Sequence, residues 1–68
     1  MNEEALNKSI RKFLKEIGVS SQREIEKSVR EALAGGDLED ATTLEVRMNL
    51  TIYSVDLSHQ VNGLIQLA

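Results

Sequence analysis

The sequence predicts an α+β domain, two N-terminal helices packed on a small antiparallel β-meander, in the order α-α-β-β-β with a short third strand. Three observations predict it. Apolar residues recur every three or four positions up to residue 34, they alternate with polar ones from residue 44, and glycines at 18, 35, 36 and 63 punctuate the chain.

The first helix is expected over 3–17. Leu6, Ile10, Phe13, Leu14 and Ile17 are spaced four, three, one and three apart, which sets them on one stripe of an α-helix. Asn2 is placed to cap it, and Glu3 and Glu4 favour the positive end of the helix dipole. Lys8, Arg11, Lys12 and Lys15 fall on the opposite, wet side.

Gly18-Val19-Ser20-Ser21-Gln22-Arg23-Glu24 reads as the joint between two helices. Gly18 suits a left-handed helix ending, with Leu14 and Val19 as its apolar contact. Ser21 and Glu24 have the spacing of a capping box for a second helix over 22–34. In that helix Ile25, Val29, Ala32 and Leu33 form the buried stripe, and Glu26 and Arg30 are spaced to pair on the wet side. Gly35-Gly36 ends it, and residues 37–42 read as a polar loop with Leu38 as an anchor.

From residue 44 the period is two. Leu44, Val46, Met48, Leu50 and Ile52 alternate with Glu45, Arg47, Asn49 and Thr51, predicting a strand over 43–53. Tyr53-Ser54 is read as the turn. Val55, Leu57, His59 and Val61 alternate in the same way, predicting an antiparallel second strand over 55–61. Asn62-Gly63 is a strong short hairpin signal, so a third strand is expected over 64–67 after a three-residue turn with Gly63 in a bulge. The alternative is one long second strand bulged at Gly63.

The 68 residues are read as a single domain, 1–68, of a size that buries only ~60% of its unfolded surface. With no cysteine and one histidine, disulfides and thiolate or multi-histidine metal sites are excluded, and neither cofactor nor metal is expected. Formal charge is −3, distributed as +1 over residues 1–34 and −4 over 35–68, which is not the basic balance of a nucleic-acid binder. The first residues are acidic where a signal peptide is basic, and no apolar run approaches the ~20 residues of a membrane span. A soluble cytoplasmic protein is the expectation.

Chemistry-bearing constellations are sparse. Asp56, Ser58 and His59 are near in sequence, but on a strand Ser58 and His59 point to opposite faces, which breaks a nucleophile–base pair. Asp37, Glu39 and Asp40 are acidic enough for a hard cation but lack the downstream glutamate and turn glycine of a calcium-binding hand. Gly35-Gly36 leaves a helix for an acidic run, the reverse of a phosphate loop. A DNA-reading helix-turn-helix is suggested by the Gly18 joint, yet Leu14, Glu24 and Lys27 stand where that motif wants a small and two apolar residues.

Ser9-Ile10-Arg11-Lys12-Phe13-Leu14-Lys15, Gly18-Val19 and Ser21-Gln22-Arg23-Glu24-Ile25-Glu26-Lys27 resemble a family of small bacterial proteins of unknown function. The likeness is strong over residues 1–34 and looser beyond. That family tends to carry Asp-Gly where this chain has Asn62-Gly63, and glycines where it has Tyr53-Ser54. The resemblance implies a compact bacterial domain and supplies no functional residues.

The function expected is therefore that of a non-enzymatic interaction or structural module. Its partners would be a second copy, joined through a strand edge or an apolar helix face, or another protein. A nucleic-acid binder using Lys8, Arg11, Lys12, Lys15 and Arg23 is the alternative; no membrane partner is expected.

Overall fold

The computed structural model describes residues 1–38 and 42–68, as one helix, one strand, a short 3-10 turn and a second strand. The chain divides into two compact units, Met1–Leu38 and Glu39–Ala68. Glu39, Asp40 and Ala41 lie outside the described residues, and with them half of the polar loop expected over 37–42.

The first unit is a single helix, α1, Glu3–Ala34, 32 residues and about 48 Å long. Its start is as expected: the Asn2 side chain accepts a hydrogen bond from the Ala5 amide at 3.0 Å, and Glu3 and Glu4 occupy the first turn. The expected break at Gly18 does not occur. Gly18 has no positive φ, and the helix runs unbroken across the seven residues that read as a joint. The physical reason lies in the stripe. Leu14, Ile17, Ser21 and Ile25 succeed one another at helical intervals of three and four, so a continuous helix keeps both apolar halves along one drifting face. A mid-helix glycine costs only ~1 kcal/mol, less than nucleating a second helix and giving up the hydrogen bonds of the joint. Ser20 is accommodated by bonding back, its hydroxyl donating to the Ile17 carbonyl at 3.4 Å.

The left-handed ending expected at residue 18 is found at the far end. Gly36 has φ +78°, its amide donates to Leu33 O at 3.2 Å, and the Asp37 amide donates to Ala32 O at 2.9 Å. These are the two bonds of a Schellman motif with Gly36 as the left-handed residue.

The second unit is a two-stranded antiparallel sheet, β1 Thr43–Ile52 and β2 Leu57–Gln66, paired in continuous register from Thr43↔Gln66 to Ile52↔Leu57. The first strand is essentially the one expected. The third strand does not form among the described residues: residues 57–66, drawn from the expected strands two and three and the turn between them, make one strand, and it carries no bulge, since each residue of β2 opposes a single residue of β1. Gly63 faces Val46 with no positive φ, so Asn62-Gly63 is straight chain rather than a turn. Parity explains it. Leu57, Val61, Ile65 and Leu67 all share one face of an uninterrupted strand, so pairing with β1 satisfies both the backbone and the alternation without a second turn.

The hairpin loop is Tyr53-Ser54-Val55-Asp56 rather than Tyr53-Ser54 alone. Tyr53–Val55 form a 3-10 turn, and Asp56 adopts the left-handed conformation, φ 51° and ψ 36°, with its amide donating to Tyr53 O at 3.2 Å. Aspartate is one of the few non-glycine residues that tolerates this backbone.

Candidate functional site

Each unit presents a polar and an apolar surface. On the sheet, the register places Leu44, Val46, Met48, Leu50 and Ile52 beside Ile65, Gly63, Val61, His59 and Leu57. The opposite face carries Thr43, Glu45, Arg47, Asn49 and Thr51 beside Gln66, Leu64, Asn62, Gln60 and Ser58. On the apolar face Met48, Ile52 and Val61 expose 42%, 44% and 53% of their surface, while Leu44, Val46, Leu50 and Ile65 are half-buried. Along α1, Ile17, Ser21, Ile25, Val29 and Ala32 are half-buried, and Leu6, Ile10, Phe13 and Leu14 are exposed.

His59 sits on the apolar face opposite Leu50, and Ser58 on the polar face opposite Thr51, so the pair is separated by the sheet itself. Sequence reasoning placed these two correctly. It did not foresee Leu64 on the polar face, 64% exposed and opposite Glu45. Parity counted straight through Gly63 would have found it. A shallow depression of about 560 Å³ lies around this point, lined by Glu45, Val46, Arg47, Asn62, Gly63 and Leu64. Its lining offers one carboxylate and one guanidinium among amide and apolar groups, with neither a nucleophile nor an imidazole.

The five basic residues singled out from the sequence are all exposed and all on α1. Because the helix is unbroken, Arg23 shares a face with Lys8, Arg11, Lys12 and Lys15 instead of belonging to a separate element. At ~100° per residue, these five together with Lys27 and Arg30 fall within an arc of about 160° that extends about 33 Å from Lys8 to Arg30. Two acids, Glu16 and Glu26, interrupt that arc, and a third, Glu4, lies on the same face one turn before Lys8. Glu26 accepts a hydrogen bond from Gln22 Nε2 at 3.0 Å and pairs with Arg30 at 3.6 Å, the pair expected from their spacing. An unbroken helix also removes the turn that a helix-turn-helix requires.

Among the described residues no group of three or more metal-ligating side chains comes together, and no helix is long and apolar enough to cross a membrane. No curated protein and no solved structure matches the chain. One family does, and the match takes in residues 1–68, well beyond the stretch whose wording carries the resemblance. The chain therefore belongs to DUF6494, a family of unknown function.

Proposed function

We propose that the chain is a non-enzymatic interaction module of the bacterial cytoplasm that works as a self-associated assembly. The observation that carries this reading is the open apolar face of the hairpin, where Met48, Ile52 and Val61 remain 42%, 44% and 53% exposed. A two-stranded hairpin is marginal in water and needs further strands or a packed helix over its apolar side to be stable. A second copy is a source of both, and it is always present at matching stoichiometry. The solution mass measured by light scattering across a concentration range tests this. A dimer or higher assembly is expected; a monomer at every concentration overturns the reading.

A second reading is favoured by the basic arc of α1, which the unbroken helix extends to seven cations against two acids. Such a stripe could follow a nucleic-acid backbone, with binding that weakens steeply as salt rises. Retardation of labelled RNA or DNA at low salt, lost on Arg11→Glu and Lys12→Glu, is the result this reading requires. An unshifted probe at low salt removes it.

A further inference from the structure

The geometry points to the outer edge of β2 as the surface through which two copies of this chain join, giving a four-stranded antiparallel sheet of order β1-β2-β2-β1 centred on Asn62. This rests on the self-association reading and specifies its surface and register.

The hydrogen-bonding parity of the hairpin determines which backbone groups are free. The Leu67 amide donates to Thr42 O at 2.8 Å, which makes 42 and 67 a hydrogen-bonded pair just beyond the last strand pair. In an antiparallel ladder hydrogen-bonded and non-bonded pairs alternate. The even-numbered residues of β2, from Ser58 to Gln66, therefore turn their N–H and C=O groups outward. So do the odd-numbered residues of β1.

The two edges differ in charge. β1 carries Glu45 and Arg47, whereas β2 has no charged residue in ten, no proline and no bulge. Charges, prolines and bulges are the devices that keep edge strands from pairing, and β2 lacks all three. Symmetric pairing of β1 over its length, centred on residue 47, would also set Arg47 against its own copy, a like-charge opposition that destabilises. For β2, a two-fold axis at Asn62 sets Ser58 against Gln66 of the other copy and Gln60 against Leu64. Every outward-facing residue then finds an outward-facing partner. The same register keeps the apolar face continuous: Leu57 meets Leu67, His59 meets Ile65, and Val61 meets the side-chain-free Gly63, where a β-carbon would encounter nothing within 4 Å of its own chain.

The test uses the full chain and five variants of it. Asn62→Lys places two ammonium groups across the axis and is expected to lower the dimer fraction at least tenfold, while Asn49→Lys on β1 leaves it unchanged. Mixing Asn62→Lys with Asn62→Asp is expected to restore a dimer containing one of each. Because the native chain has no cysteine, Asn62→Cys supplies a second measurement that does not require a disruptive charge: it is expected to form a covalent dimer on oxidation, and Asn49→Cys is not. A wild-type dimer that persists in Asn62→Lys, with no cross-link through Asn62→Cys, overturns the β2 edge and leaves self-association standing. A monomeric wild type overturns both.

Discussion

The amide of Asp37 donates to the carbonyl oxygen of Ala32 across five residues, and this 2.9 Å bond, with Gly36 left-handed between them, is where α1 stops. Gly18, between Ile17 and Val19, is also a glycine, yet it is an ordinary helical position. The difference lies downstream. Beyond Gly18 the half-buried stripe resumes at Ser21 and Ile25 in helical phase, whereas beyond Gly36 the polar residues 37–42 offer no stripe to continue.

The two glycines should therefore respond oppositely to alanine. Gly18→Ala is expected to stabilise the chain by roughly 0.5–1 kcal/mol, since a β-carbon there meets nothing within 4 Å and alanine is the better helix former. Gly36→Ala forces a β-carbon into left-handed backbone and is expected to cost roughly 1–2 kcal/mol. Thermal unfolding followed by circular dichroism reads both. A destabilising Gly18→Ala would contradict the unbroken helix.

Asn2→Ala removes the acceptor for the Ala5 amide, and about 1 kcal/mol of helix stability with it. Hydrogen exchange should show faster exchange in the first turn, with little change beyond Ser9. Asn2→Asp keeps the cap and adds a favourable charge at the dipole, so it should exchange no faster than the native chain.

Asp56→Val places a β-branched residue at φ 51° and is expected to lower hairpin stability by about 1–2 kcal/mol, while Asp56→Asn stays within a few tenths. Equal unfolding midpoints for the two variants would count against a left-handed residue at the loop exit.

Gly63→Val separates a straight strand from a turn. In β2 the new side chain joins the apolar face opposite Val46 in open space, so stabilisation of up to roughly 1 kcal/mol is expected from strand propensity and the cross-strand pair. At a hairpin turn the same change would be strongly unfavourable, because valine resists positive φ.

The sequence made the strand from residue 43, the cap at Asn2, the stop at Gly35-Gly36 and the Glu26–Arg30 pair legible, each because a single local pattern had no rival. It misled where a local signal competed with a longer pattern. Gly18, Ser21 and Glu24 are consistent with a joint, but serine and glutamate also occupy helix surfaces without difficulty, and the stripe through Leu14, Ile17 and Ile25 spans more residues than the joint does. Asn62-Gly63 lost in the same way to the parity of Leu57 through Leu67. The patch of Lys8, Arg11, Lys12 and Lys15 was legible within the first helix, but the alignment of Arg23 with it became visible only with the helix continuous, because a joint at residue 18 would have given Arg23 an independent direction.

Both units are built from partners close in the chain, i to i+4 in the helix and across a four-residue loop in the hairpin. Such elements form within microseconds and involve no slow search through distant pairings. For a chain joined to its copy through β2, the slow event is then the meeting of two preformed hairpins. Recovery of the native signal after dilution from denaturant should accelerate in proportion to chain concentration, a dependence that folding confined to one molecule does not show.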